Sequence, residues 1–119
     1  MLRQDGQKRF PVSVTLSWII LIASGAFEAV WAIALDRSEG FTRLWPSVLF
    51  FAALAISMGG LAVALKQLPL GTAYAVWVGV GASLAIIWSF ATGQEMFSLA
   101  KAFFLVMIVG GIIGLKVVN

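Results

Sequence analysis

An all-α membrane protein of four closely spaced transmembrane helices is the fold class this sequence predicts, and three observations predict it. Of its 119 residues, 61% are apolar and 11% charged, against about 45–50% and about 25% in ordinary soluble domains. Small chains bury the least of their surface on folding, so lipid is the solvent that accommodates this excess of apolar side chains. The apolar residues also fall into four runs parted by short polar stretches. Four spans of about 20 residues each occupy roughly 80 residues, which leaves no room for a soluble catalytic domain.

Residues 1–15, with Arg3, Lys8 and Arg9, form a basic N-terminal tail that we expect to be disordered, outside a four-helix domain of residues 16–119. The first span, 16–35, is broken by a single charge, Glu28. The stretch from Asp36 to Trp45 holds turn residues and interfacial aromatics. Pro46 then suits the first turn of a helix, where its missing N–H costs nothing. The second span, 46–65, stops at Lys66-Gln67-Leu68-Pro69. A third, 71–92, fades into Gly93-Gln94-Glu95, and a fourth covers 100–118, with Lys116 near enough to its end to snorkel. Short connections should make consecutive helices antiparallel neighbours. Lys8 and Arg9 before the first span and Ala32-Ile33-Ala34 near its end have the look of a secretory signal. The run is long for one, carries a carboxylate and precedes three more spans, so we expect it to stay.

The composition excludes several chemistries. Without Cys there are no disulfides and no thiol chemistry, and without His the commonest general base and metal ligand are missing. One acid lies in a protected position and no triad or metal set accompanies it, so we expect no catalytic residues, no metal, no cofactor and no enzyme. A net charge of +3 would suggest nucleic acid in a soluble chain. Here the basic residues lie outside the apolar runs, where they set orientation, and no nucleic-acid partner is expected. Arg3, Lys8, Arg9, Lys66 and Lys116 fall on one side and Arg37, Arg43 and Lys101 on the other. That bias favours a cytoplasmic N-terminus weakly, and the tail supplies it. Without residues 1–15 the helices could insert either way up.

Glu28 is the most informative residue. It stands about two residues past the midpoint of its span, roughly 3 Å from the bilayer centre, where a charge costs about 2.5 kcal/mol or more. Gly25 and Trp31 at three residues either side, and Ser24 and Ala32 at four, share its helix face. Small residues leave space for a ligand, and Trp31 offers a flat face and an N–H donor. A carboxylate kept from water needs company, and a proton and a cation can take turns at it; that exchange is the physical minimum for antiport. On the third span Tyr74 and Trp77 offer an aromatic wall for cation–π contact, in line with Gly71 and Gly81. Ser57, midway along the second span, is the deep hydroxyl we would pair with Glu28, although such a hydroxyl also bonds back to its own helix. Gly79-Val80-Gly81 follows no soluble strand and reads as a hinge. Gly110 and Gly114 make a GxxxG that permits close helix–helix approach, and we take them as a dimer contact.

Together these stretches resemble the small multidrug resistance transporters, from about Ser17 to Val118. The resemblance rests on Ser17-Trp18-Ile19-Ile20-Leu21, the Gly25…Glu28…Trp31-Ala32 face, and the Ser38 to Ser47 loop. It continues through Leu68-Pro69-Leu70-Gly71-Thr72-Ala73-Tyr74-Ala75-Val76-Trp77 and Ile112-Ile113-Gly114-Leu115-Lys116. Trp31 and Lys116 look like the guanidinium-exporter subtype. The resemblance implies a multi-pass protein of the bacterial inner membrane, working as an antiparallel, dual-topology dimer with the fourth helix as its main contact. It implies a proton-coupled antiporter in which guanidinium-like cations and protons compete for Glu28 of both subunits. Trp31 and Ser57 would then hold the glutamate, while Tyr74 and Trp77 line or gate the pocket.

The chain departs from the family pattern in places. Asp36 stands where a Lys is usual, and Val78, Leu84 and Trp88 replace small or hydroxyl-bearing residues. Relatives often begin just before Ser-Trp, so Val14 or Leu16 could be an alternative start. Two other functions stay open at this point. One is export of bulkier quaternary ammonium or lipophilic cationic drugs; the other is an obligate pairing subunit of a heterodimeric transporter.

Overall fold

The structure, a computed structural model, describes residues 13–119. The expected tail therefore lies largely outside the described residues. Four helices follow in order: α1 (Val14–Arg37), α2 (Leu44–Ala64), α3 (Leu70–Ala91) and α4 (Leu99–Val118). Among the described residues there is no strand. At about 1.5 Å per residue, helices of 20 to 24 residues reach about 30–36 Å, enough for a hydrocarbon core of about 30 Å. All four are long and apolar enough to cross a membrane. The protein is a multi-pass membrane protein.

Each end has a local cause. Ser13 caps α1, its hydroxyl accepting from the Leu16 amide at 3.0 Å, so the helix starts two residues before the expected 16. It also runs through Asp36 and Arg37, because a charge ends an apolar run without ending a helix. The turn to α2 is tight: Glu39, Gly40 and Phe41 all take positive φ, at 50°, 71° and 69°. Ser38 holds it, donating to the Leu35 carbonyl at 2.7 Å and accepting from the Phe41 amide at 3.0 Å. Pro46 occupies the first turn of α2. Ser98 caps α4 by accepting from the Lys101 amide at 3.1 Å, and Lys101 pairs with Glu95 at 3.1 Å across the preceding turn.

Consecutive helices are not all close neighbours. α1 lies between α2 and α3 and packs against both, while α2 and α3 meet only marginally and α4 rests mainly on α3. Small residues explain the arrangement. A Cβ on Gly60 of α2 would stand 2.6 Å from Ser24 Cβ, and one on Gly25 would stand 2.9 Å from Val80 Cβ of α3. Ser24 and Gly25 thus let two helices approach α1 from different sides. Trp18, Leu21, Leu61, Ala64, Val76 and Trp77 fill the junction of the three.

α4 is different. None of its residues is buried. Ala102, Leu105, Ile108, Ile112 and Leu115, spaced three or four apart, are its half-buried face, and Gly79 gives Ile112 room, since a Cβ there would sit 2.8 Å from Ile112 Cδ1. At the far end Asn119 donates to Thr72 Oγ1 at 3.3 Å and Lys116 Nζ stands 5.2 Å from the Trp18 ring centre. The opposite face of α4, with Val106, Ile113 and Val117, is exposed.

Candidate functional site

Glu28 is half-buried on the α1 face that meets α3, about two and a half turns from the helix end. α3 comes so close that a Cβ on Gly81 would overlap the Glu28 carboxylate, lying 2.7 Å from its Cδ. Gly81 therefore makes room for the acid. The carboxylate oxygen Oε1 is fully buried and has no hydrogen-bond partner. One turn on, the Trp31 indole N–H is also buried and unpartnered, with its ring edge-on to Phe50 at 5.9 Å. An acceptor and a donor three residues apart on one helix are thus withheld from water with their bonding capacity unspent. In a low-dielectric setting that is costly.

Ser57 bonds elsewhere than expected. Its hydroxyl donates to the Ser24 carbonyl at 2.7 Å and accepts from Trp77 Nε1 at 3.1 Å. The chain Trp77–Ser57–Ser24 ties α3 to α2 to α1, and Ser24 is one turn before Glu28. Ser57 so fixes the turn that carries the glutamate instead of touching the carboxylate. Neither does it turn back on its own helix, because Ser24 presents a nearer carbonyl across the α1–α2 contact.

The two aromatics of α3 divide. Trp77 is 4% exposed and Tyr74 is 53% exposed, with ring centres 5.8 Å apart. Trp77 belongs to the core junction, and Tyr74 stands on its outer edge. The room expected beside Gly25 is taken by Val80. Gly79 and Gly81, read as a hinge, are both points of close approach, to Ile112 and to Glu28 respectively. Around Gly110 and Gly114 a Cβ would meet nothing within 4 Å. Gly71 has equal freedom.

Sequence reasoning singled out neither one close helix contact nor two buried hydroxyls. Gly60 is the other half of the Ser24 contact, and its only signal is a second glycine three residues after Ser57. Ser83, 6% exposed, has a buried hydroxyl without a partner. Ser17, wholly buried, has another. Ser17 entered only as part of the Ser17-Trp18 stretch, and Ser83 does not stand out among the many small residues. Among the described residues no cluster of His, Cys, Asp or Glu could hold a metal.

The family model described as Small Multidrug Resistance protein matches residues 16–108. A protein of Proteus vulgaris named guanidinium exporter is 46% identical over 104 residues, covering 87% of this chain and all of the relative. Proteins of the same name from Citrobacter freundii, 48% identical over 85% of this chain and 96% of the relative, and Yersinia pseudotuberculosis, 47% identical over 87% and 100%, are similarly close. On a match over most of its length and near-half identity to whole relatives, this chain belongs to the small multidrug resistance family.

Proposed function

We propose that the protein is a proton-coupled antiporter of the bacterial inner membrane that exports guanidinium-type cations. Substrate and protons compete for Glu28, contributed by both subunits of an antiparallel dimer. The observation that carries this reading is the pairing of a buried, unpartnered carboxylate oxygen with a buried, unpartnered indole N–H one turn away. A planar guanidinium offers a carboxylate two parallel charge-assisted hydrogen bonds, and the exposed ring of Tyr74 offers a cation a π-face. The names of its near-half-identical relatives support the substrate class.

The exposed face of α4 supports a second subunit. The uncovered face of α4 carries the glycines with open space around them, where a like helix can pack closely. A second copy would contribute a second Glu28 to one shared site. Two copies would titrate as a coupled pair, so loading one cation and loading protons become alternative states of one centre.

The test is transport by the full chain in proteoliposomes. A pH gradient should drive accumulation of guanidinium and fail to drive that of a tetraalkylammonium of the same charge. Accumulation of the tetraalkylammonium in preference would assign the protein to drug export instead.

A further inference from the structure

Asp36 and Arg37 are consecutive near the end of α1, about 100° apart around the helix, and they serve two different cavities that share Ile33 and Trp88. Asp36, with Gln94 and Glu95, lines one of about 290 Å³. Arg37 lines the other, of about 380 Å³, with Trp45, Pro46, Leu49 and Ile33. In the second cavity the Arg37 guanidinium carbon stands 6.0 Å from the centre of the Trp88 ring, and Arg37 is the one charged residue among those lining it. The neighbouring Arg43 is paired with Glu39 at 3.8 Å. Among the described residues Arg37 has no carboxylate within ion-pair distance.

The position of this cavity says what chemistry can reach it. It opens where the apolar runs of α1 and α2 end, at the level of lipid headgroups. Trp45 and Trp88 are 75% and 40% exposed, and amphipathic rings settle at that level. A guanidinium beside them suits a phosphate, which it meets through paired hydrogen bonds. The walls formed by Ile33, Pro46 and Leu49 suit an acyl chain and offer a hydrated ion nothing. We propose that this cavity binds an anionic phospholipid, with the phosphate on Arg37 and the glycerol and upper acyl carbons between Trp45 and Trp88. Arg37 comes from α1, Trp45 from α2 and Trp88 from α3, so one lipid would touch all three helices, including α2 and α3, which meet only marginally. The inference does not depend on which cation is transported.

Native mass spectrometry of the full chain in detergent tests it, using phosphatidylglycerol and phosphatidylcholine with the same acyl chains. Phosphatidylglycerol should be retained in preference. Arg37→Gln should weaken that retention about fivefold, the worth of one basic residue beside anionic lipid. Arg37→Lys should keep part of it, Trp88→Leu should weaken it, and Arg43→Gln should leave it unchanged. Equal retention of the two lipids, an unaffected Arg37→Gln, or an equal loss in Arg43→Gln would overturn the assignment. So would displacement by millimolar inorganic phosphate, which marks a free-anion site, or retention by the monomer alone, which marks a face covered by a second copy.

Discussion

Trp77 donates its indole N–H to the Ser57 hydroxyl at 3.1 Å, and Ser57 passes the connection to the Ser24 carbonyl at 2.7 Å. Removing the hydroxyl breaks both bonds and leaves a buried indole N–H without an acceptor. Hydrogen bonds between membrane helices contribute about 0.6 and at most about 1.7 kcal/mol each. Ser57→Ala should therefore lower stability by about 1–3 kcal/mol, and Trp77→Phe should remove one bond only. Because the bonds share Ser57, the double variant should cost less than the two single changes added. Thermal unfolding of the three variants in one detergent measures this.

Gly81 and Gly25 make a second pair. A methyl on Gly81 would overlap the Glu28 carboxylate, whereas a methyl on Gly25 would meet Val80 Cβ at 2.9 Å and the Trp77 carbonyl at 3.1 Å. Overpacking costs about 1–3 kcal/mol in either place, but the functional effects should differ. Gly81→Ala should displace the acid and abolish guanidinium uptake even where protein remains folded. Gly25→Ala should reduce stability first and uptake in proportion. Uptake per folded protein in proteoliposomes separates them.

The glycines of α4 should act only through a partner. Gly110 and Gly114 face open space within the chain, and replacing an exposed helical glycine with alanine gains about 1 kcal/mol of helix propensity. Gly114→Ile should leave the single chain folded and shift it from dimer to monomer, as read by cross-linking at low protein density in lipid. Undiminished cross-linking would move the interface off this face.

The four helices were legible because hydropathy and length decide them before any packing is known. The ends were legible where a residue acts locally, as Pro46 does in the first turn of α2. Glu28 stood out because an acid in a span is expensive. Pairings across helices were not legible. Ser57 could have bonded Glu28, its own helix or a neighbour, and only the approach of α1 selects the Ser24 carbonyl. Gly25 and Gly81 look alike in sequence, yet one is filled by Val80 and the other accommodates a carboxylate. That difference is set by helix rotation, which no single residue records.

Orientation follows from where charge lies. With Arg37, Arg43 and Lys101 opposed to Lys66 and Lys116, residues 16–119 carry no decisive bias. A homodimer of opposed subunits needs both orientations. Reporter fusions at Asn119 should then give signal on both sides of the membrane, and signal on one side alone would identify a subunit that requires an oppositely oriented partner.

Calorimetry can ask whether a bound cation evicts protons. Guanidinium titrated into the reconstituted protein, in buffers of differing ionisation enthalpy, should release protons. Its affinity should fall as pH falls, by up to about tenfold per unit for each proton displaced. Glu28→Gln should bind no guanidinium and release none. Tight binding with no proton released, or binding that survives loss of the acid, would contradict competition at Glu28.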